Sequence, residues 1–382
     1  MLEIAESLFW TSLAALFYVY LGYPILLLLI GCFVRRTPSQ SGYTPRISVL
    51  IAAYNEQAGI REKIEKTLQL DYPSELIEIV VLSDESTDRT DAIVESFQDP
   101  RVRLLRIGGR RGKTNAQNEG MMFARGKVVI FSDATTVYHP QSLRYLVRNY
   151  SDPRVGAVSG RYQYFDAEGR SPTSLGTIAF WNYENLIKMM QSRISTISGC
   201  CGCIYSVRRD LYTALSPDII SDLVQPLHVI RQGYKVVFED RALAYEETTR
   251  SVSEEFSMRV RVVTRGMRGL LSISDLLRPW KFGWVSFQLW SHKALRWFVP
   301  LFLLGLFAAN LALLSFAGFR LFFWFQAAFY FLALLCLLVP LQKRWKLLGI
   351  PLYFCTLNAA ALCGMVKLLR GEKYTVWQTV RT

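Results

Sequence analysis

The amino-acid sequence predicts an α/β domain with a mostly parallel sheet between helices, attached to several membrane helices. Between residues 44 and 270, short apolar runs alternate with segments of helical periodicity, the order that builds a parallel sheet covered by helices. Two long apolar regions, 8–34 and 298–369, flank this domain. An acid or an amide follows the central apolar runs, and open α/β sheets bind their ligands at this carboxyl edge.

Composition and charge exclude several classes of protein. A hydrophobic fraction of 51% is high for a soluble chain of 382 residues. The net charge of +13 gathers at 101–113, at 259–268 and beside the apolar regions, which suits an anionic membrane surface and a phosphate-bearing substrate. Because no zinc-finger or RNA-binding spacing is present, we predict no nucleic-acid partner. The seven cysteines match neither a disulfide framework nor a metal knuckle, which favours a reduced, cytoplasmic domain.

The first 36 residues (1–36) are predicted to form a membrane anchor. The apolar run 8–34 is long enough to cross a hydrocarbon core of about 30 Å. Arg35 and Arg36 follow this run, whereas a signal peptide carries its charge before the apolar residues. By the positive-inside rule, these arginines place the next domain, 37–272, on the cytoplasmic side of the inner membrane.

The domain 37–272 begins with a regular alternation of strands and helices. Its predicted strands are 47–53, 77–82, 102–105 and 128–133, and its predicted helices are 60–70, 88–97 and 115–124. The later elements are a strand at 156–164, a helix at 178–191, a strand at 236–238, a return to the sheet region at 241–247 and a basic helix at 253–271. Four arginines of this last helix are predicted to lie roughly along one side: Arg259, Arg261, Arg265 and Arg268.

The C-terminal part is predicted to lie on and in the membrane. Residues 273–297 mix tryptophans with basic residues, a composition too charged to cross a bilayer and suited to an amphipathic interface helix. Three apolar segments follow within the C-terminal bundle and tail, 298–382. The last of them, 347–369, has basic residues at both ends, whereas a full span separates its ends. Either it is re-entrant, which Pro351 and Asn358 would permit, or the tail lies outside; three full spans is the simpler count.

Four positions have residue types and neighbours that suit catalysis. Asp84 follows the second predicted strand, and Asp133 ends the fourth. Lys113 lies in a glycine-rich segment, 108–114, which lacks the spacing of a Walker A motif but whose glycines and cations suit a diphosphate. The fourth position is Asp222. Taken singly, each acid also fits a helix cap or a surface charge, so their order in the chain carries the prediction.

In that order, the segments resemble the family 2 glycosyltransferases. These are membrane-anchored, inverting enzymes that use nucleotide sugars, and they include poly-N-acetylglucosamine, hyaluronan and cellulose synthases. The resemblance covers about residues 44–270 and implies a GT-A nucleotide-sugar-binding fold. The matching segments are 47–56 (opening strand and AYNE loop), 80–90 (strand, acid and Ser-Thr-Asp turn), 112–120 (GKxxAxNxG), 131–135 (the DxD position), 199–208 (acceptor segment) and 222–234 (catalytic base region).

The resemblance also implies a role for each site residue. The residues expected at the donor are Ala53, Tyr54, Glu56, Asp84, Lys113, Asn118, Asp133, Arg261 and Arg265. Among them, Asp84 would bind the uracil end, and Asp133 would hold Mg²⁺ or Mn²⁺ against the diphosphate, since hard oxygen ligands select these cations. Asp222 would be the catalytic base that takes the proton of the acceptor hydroxyl.

The sequence departs from the family pattern in two places. Thr135 stands where the DxD motif has its second acid, so this motif would give a metal one carboxylate, with the diphosphate and waters completing the shell. The QxxRW motif of processive synthases is missing. The nearest stretch, 261–266, has neither its Gln nor its Trp, which weakens a prediction of processive polymerisation.

The sequence therefore predicts an inverting glycosyltransferase that transfers sugar from a UDP-sugar to a growing cell-surface or exported polysaccharide. The expected partners are the nucleotide sugar, the glycan acceptor, membrane lipids and other subunits of polysaccharide export. A first alternative is transfer to a polyprenyl phosphate or another lipid-linked acceptor, which the missing QxxRW motif leaves open. A second alternative, motivated by Thr135, is a non-catalytic membrane subunit that binds nucleotide.

Overall fold

The computed structural model describes residues 1–34, 42–166, 171, 173–339, 341 and 345–376. Within these residues, eight strands form one sheet, and helices cover its faces or extend as long apolar rods. The strands are β1 Ile47–Ala53, β2 Ile77–Asp84, β3 Val102–Ile107, β4 Val128–Asp133, β5 Val137–Tyr138, β6 Val155–Phe165, β7 Ile204–Arg208 and β8 Lys235–Glu247. The helices are α1 Leu2–Phe33, α2 Ile60–Leu68, α3 Thr90–Glu95, α4 Lys113–Phe123, α5 Ser142–Arg148, α6 Ser174–Ile194, α7 Ser221–Arg231, α8 Val252–Ser272, α9 Pro279–Phe282, α10 Trp284–Ala312, α11 Ala317–Leu338 and α12 Gly349–Leu369.

The sheet is mixed but mainly parallel, as predicted. Its strand order is β3-β2-β1-β4-β7-β6-β8-β5. The first four strands of this order are parallel to one another, β7 runs antiparallel between β4 and β6, and β6 pairs with β8 in parallel. Since β2 lies on one side of β1 and β4 on the other, the chain reverses its winding direction at β1. The carboxyl ends of β1 and β4 therefore border the crevice where open α/β sheets bind ligands.

The central strands are apolar because both of their faces are buried. Every residue of β1 and β2 is buried. Val49 and Ile51 pack on one face, with α2, α3 and α5, while Leu50 packs on the other face, with α4 and α7. Strands buried on both sides read as continuous apolar runs rather than as alternating ones, and this is why the sequence reveals them.

Most predicted elements of the domain are found within a few residues of their predicted bounds. Two differences affect the site. Helix α4 begins at Lys113, two residues earlier than predicted, so this lysine is the first residue of the helix. The strand predicted at 236–238 and the predicted return to the sheet at 241–247 form one strand, β8, whose end pairs with β5.

Four described helices are long and apolar enough to cross a membrane: α1, α10, α11 and α12. This agrees with the predicted count of one N-terminal and three C-terminal segments. Helix α1 packs on α10 through a small apolar cluster that includes Phe9 and Leu306. Arg35, Arg36 and the basic residues 342–344, on which the predicted orientation depends, lie outside the described residues.

The segment predicted as one interface helix has two parts in the structure. Helix α9 is short and ends at Gly283, whose φ of 47° turns the chain. Helix α10 then starts at Trp284 and continues through the charged residues Lys293 and Arg296 into the apolar region. Glu184 of α6 pairs with both of these cations, at 3.8 Å from Lys293 Nζ and in closer contact with Arg296. The boundary between interface and membrane segments therefore stays a prediction.

The last apolar segment, α12, is an unbroken helix of 21 residues that packs along α8. Gly364 allows the close approach, because a Cβ at this position would lie 3.0 Å from Val263. Thr264 Oγ1 donates to the Gly364 carbonyl at 3.2 Å, and Arg259 donates to the Tyr353 hydroxyl at 3.0 Å. Pro351 does not break this helix because it lies in the first turn. Backbone N–H groups in the first turn have no intrahelical acceptor, so the N–H that proline lacks is not needed there.

Candidate active site

Asp84 organises the glycine-rich loop that precedes α4. It ends β2, is 1% exposed, and accepts hydrogen bonds from the backbone N–H groups of Arg111 at 3.0 Å and Gly112 at 2.9 Å. Burial raises the pKa of this carboxyl, and the two backbone hydrogen bonds oppose the shift. Gly112 has a φ of 90° and a ψ of 169°, a conformation that is essentially restricted to glycine. The predicted donor acid thus holds the predicted diphosphate loop in place.

The AYNE loop forms the opposite wall of the crevice. Ala53 is the buried last residue of β1, and the Tyr54 ring lies 3.9 Å beneath the Arg110 guanidinium. The backbone N–H of Glu56 donates to Thr90 Oγ1 at 2.8 Å, which ties the loop to the first turn of α3. A guanidinium that stacks on an aromatic ring presents a flat surface that would suit a planar base.

Lys113 contacts both the end of β4 and the 199–203 loop. Its ammonium donates to Asp133 at the end of β4 and, at 3.1 Å, to the carbonyl oxygen of Gly202. Burial opposes the positive charge, but Asp133 and Asp222 favour it and raise the pKa of Lys113 above the ordinary value. The predicted donor contact and the predicted metal ligand are therefore in direct contact.

Asp222 lies in the first turn of α7, directly under the 199–203 loop. A Cβ on Gly202 would lie 2.8 Å from Asp222 Oδ2, so the loop approaches the carboxylate as closely as glycine allows. Burial raises the pKa of Asp222, while Lys113 and Lys188 oppose the shift. A carboxylate that holds its proton more strongly than usual, beside cations that keep it ionised, has the properties of a general base.

Asn118 and Arg265 bind the backbone of the segment that leads to Asp222. Asn118 donates to the Leu215 carbonyl at 2.7 Å, as expected for a residue that fixes a loop. Arg265 donates to Thr114 Oγ1 at 2.9 Å and to the Ile219 carbonyl at 2.7 Å. Their hydrogen bonds in the structure position this loop, and a direct donor contact from either residue stays a prediction.

The arginines of α8 do not share one side, contrary to the sequence prediction. Arg259 points away from the crevice and pairs with Glu255 at 2.8 Å, whereas Arg268 pairs with Asp218 at 3.2 Å. Arg261 lies within the electrostatic reach of Asp133, and burial lowers its pKa. A helical turn of 3.6 residues places positions 259 and 261 on opposite faces, which explains the difference. A contact of Arg261 with a diphosphate stays a prediction.

Two side chains that the sequence analysis missed complete the site. Lys188 of α6 lies 3.0 Å from the sulfur of Cys201 and, like Lys113, acts to lower the pKa of Asp222. Glu246 of β8 accepts a hydrogen bond from Thr135 Oγ1 at 3.0 Å. The pair of acids that ends β8 is the feature of the sequence that could have revealed Glu246. Among the described residues, no group of three or more His, Cys, Asp or Glu side chains is arranged to hold a metal ion.

A cavity of about 490 Å³ connects the AYNE loop with Thr135. Its wall includes Glu56, Lys63 and Glu247. Lys63 donates to Ser132 Oγ at 2.8 Å, beneath the end of β4, and burial lowers its pKa to about 8. This cavity extends from the AYNE loop, past Thr135, to the ends of β5 and β8, and Asp133 and the glycine-rich loop are not among the residues that line it.

Comparisons with known proteins agree with this architecture. Residues 48–215 match the model of glycosyl transferase family 2. The chain is 28% identical over 265 residues to a probable glycosyltransferase YdaM of Bacillus subtilis, with 64% of this chain and 62% of that protein covered. It is 29% identical over 235 residues to a poly-beta-1,6-N-acetyl-D-glucosamine synthase of Staphylococcus epidermidis, with 59% and 55% covered. The chain thus spans 55–62% of the length of these relatives.

The fold resembles that of a solved glycosyltransferase over almost its whole length. A mannosyltransferase from Pyrobaculum calidifontis, solved with GDP-Man and Mn²⁺, superposes with a TM-score of 0.73. The match covers 98% of this chain and all of that chain at 21% sequence identity, which supports a shared fold. Residues 48–215 thus resemble a family 2 glycosyltransferase domain, and the chain has a GT-A-like fold with candidate membrane helices on both sides.

Proposed function

We propose that this protein transfers a sugar from a UDP-sugar to an acceptor hydroxyl with inversion at the anomeric carbon. The observation that carries the proposal is the position of Lys113, which contacts Asp133 on one side and the loop over Asp222 on the other. A cation in this place lies between a donor half and an acceptor half of one crevice.

The donor half has surfaces that match the parts of a nucleotide diphosphate. The stacked pair of Tyr54 and Arg110 suits the uracil ring, beside the loop that Asp84 holds. Lys113 and Arg261 supply positive charge where the leaving diphosphate would gain negative charge. The poly-N-acetylglucosamine synthases among the relatives support an amino sugar as the first donor to test.

The oxygen atoms around Asp133 fit a divalent cation, because Mg²⁺ and Mn²⁺ both bind carboxylate and hydroxyl oxygens. A bound cation would supply charge that stabilises the leaving diphosphate. The mannosyltransferase of similar fold was solved with Mn²⁺, which supports the same requirement here. Asp133 would hold the cation, and Lys113 would then be released from Asp133 to contact a phosphate.

Asp222 would accept the proton as the acceptor oxygen attacks the anomeric carbon. The bond between that carbon and the diphosphate oxygen breaks in the same step, and the electron pair leaves with UDP. Because attack comes from the face opposite the leaving group, the base must lie across the sugar from the diphosphate. We assign this position to Asp222, which lies under Gly202, the residue whose carbonyl oxygen accepts from Lys113 at 3.1 Å.

The acceptor is proposed to be a growing cell-surface or exported polysaccharide, made at the cytoplasmic face of the inner membrane, with export subunits as further partners. One observation favours the lipid-linked alternative. Lys293 of α10 lies next to the acceptor loop, with its Nζ 3.9 Å from the Cβ position of Gly199, and Lys188 is close by. Two cations beside the base would suit the phosphate of a polyprenyl acceptor.

The test is to incubate the detergent-purified protein with membranes and a panel of labelled nucleotide sugars, and to identify the products by mass. We expect one UDP-sugar to give labelled product and free UDP. Label in a long polymer supports the polysaccharide acceptor, and label in the organic phase supports the lipid acceptor. If no nucleotide sugar is consumed while UDP still binds, the non-catalytic subunit is correct and the proposal is wrong.

A further inference from the structure

Thr135 occupies the place of the second acid of the DxD motif, and the structure brings another carboxylate to it. Glu246, 111 residues further along the chain, accepts a hydrogen bond from Thr135 Oγ1 at 3.0 Å. Its second carboxylate oxygen accepts a hydrogen bond from the Tyr162 hydroxyl. Both oxygens of Glu246 therefore have fixed directions at the end of the loop that begins with Asp133.

The position of Glu246 follows from strand pairing. Strand β8 pairs with β5 so that Tyr245 lies opposite Val137, and it pairs with β6 so that Glu246 lies opposite Tyr164. Register fixes the face to which each residue points, because neighbouring residues of a strand alternate between faces. The same pairing that closes the edge of the sheet thus carries the carboxylate to Thr135.

We infer that Glu246 is the second carboxylate of a divalent-cation site with Asp133, in place of the acid that Thr135 lacks. This inference rests on the proposed function, which assigns a metal to Asp133. The site would offer two carboxylates, from β4 and β8, whose hard oxygens are of the kind that Mg²⁺ and Mn²⁺ bind.

Electrostatics supports the closeness of the two carboxylates. Burial lowers the pKa of Lys63, and Asp133 and Glu246 both act on it in the opposite direction. One ammonium, fixed by Ser132 Oγ at 2.8 Å, is therefore within reach of both acids.

The hydrogen bonds also explain why threonine is suitable at position 135. The Thr135 and Tyr162 hydroxyls act as outer groups that orient the Glu246 carboxylate, a role that tunes metal ligands in many sites. An aspartate at 135 would instead place its negative charge against Glu246, and like charges at contact distance disfavour ionisation of both. Acid at 135 and acid at 246 are thus alternative ways to complete the same site.

The test measures Mn²⁺ affinity of the full chain in detergent with saturating UDP, by the electron paramagnetic resonance signal of free Mn²⁺. We expect Glu246→Gln to weaken Mn²⁺ binding at least tenfold. Glutamine keeps the size of the side chain and an oxygen that accepts hydrogen bonds, so the change removes mainly the charge. Asp240→Asn is the matched control, an exposed acid earlier on β8, and should change the affinity less than twofold.

A rescue experiment separates a ligand from a merely structural residue. Thr135→Asp alone should weaken Mn²⁺ binding or leave it unchanged, whereas Thr135→Asp combined with Glu246→Thr should recover affinity relative to Glu246→Thr alone. Thermal unfolding of each variant without metal shows whether the fold is kept. If Glu246→Thr or the double variant unfolds, the same comparison is made between Glu246→Gln alone and Glu246→Gln combined with Thr135→Asp.

Asp133→Ala distinguishes failure of this inference from failure of the proposed function. If Asp133→Ala loses Mn²⁺ binding and Glu246→Gln keeps it, Glu246 is not a ligand, while the metal site at Asp133 stands. If neither variant affects Mn²⁺ binding, the metal site and the inference both fail. Recovery in the double variant, together with the loss in Glu246→Gln, would establish the pair.

Discussion

Lys113 and Asp133 form an ion pair that joins the first residue of a helix to the last residue of the central strand. The two side chains are 23% and 33% exposed, so the pair is only partly screened by water. The same ammonium reaches the Gly202 carbonyl, and this second contact connects the pair to the loop over Asp222. One lysine therefore links the proposed donor and acceptor halves.

Replacing Lys113 with methionine should lower kcat/KM for the donor by about 10- to 100-fold. Hydrogen bonds to charged groups contribute about 1.5–3 kcal/mol, and 1.4 kcal/mol corresponds to a factor of ten. Steady-state kinetics with the identified UDP-sugar measures the effect. Lys127→Met is the control, because Lys127 is exposed at the opposite end of β4. Equal activity of the two variants would contradict the assignment.

Replacing Asp222 with asparagine should reduce kcat by about 10²- to 10⁴-fold, the usual contribution of a general base. UDP binding, measured by calorimetry, should be unchanged, because the proposal assigns Asp222 to the acceptor and not to the nucleotide. Asp210→Asn provides the control at an exposed acid outside the crevice. Retained transfer in Asp222→Asn would remove this residue from the role of base.

The sequence was sufficient to predict the central strands and the acids at their ends. Strands β1 and β2 are buried on both faces, so their apolar runs are visible without knowledge of any partner. Asp84 and Asp133 follow such runs directly, and parallel strands bring their carboxyl ends together. Local patterns therefore predict this part of the site.

The contacts that the sequence did not predict depend on distant segments. Glu246 meets Thr135 only because β8 pairs with both β5 and β6. The charged part of α10 was predicted to be too polar to join a long apolar helix, but Glu184, more than 100 residues earlier, pairs with both of its cations. A charged side chain can be buried only when it has a partner. A short stretch of sequence does not reveal a partner that lies on a distant element.

Replacing Lys188 with methionine should move the acid limb of the kcat–pH profile to higher pH. Burial already raises the pKa of Asp222, and Lys188 opposes that shift, so its removal should raise this pKa further. A base with a higher pKa holds its proton to a higher pH, and the rate therefore falls earlier as the pH is lowered. Rates measured between pH 5 and pH 9 test this, with Lys188→Arg as the charge-preserving control. An acid limb that is unchanged or shifted to lower pH would contradict it.

Gly112→Ala should weaken UDP binding by about tenfold or more and destabilise the loop that Asp84 holds. Two independent features oppose a side chain here. The backbone angles of Gly112 cost other residues about 1–3 kcal/mol, and a Cβ would overlap the carbonyl oxygen of Thr375, which lies across the loop. Gly108→Ala is the control in the same loop, because a Cβ there meets no atom within 4 Å. Removing residues 372–382 should relieve the overlap but not the backbone cost, so the truncated Gly112→Ala protein should regain part of its UDP affinity. If it regains none, the backbone angles alone account for the requirement for glycine.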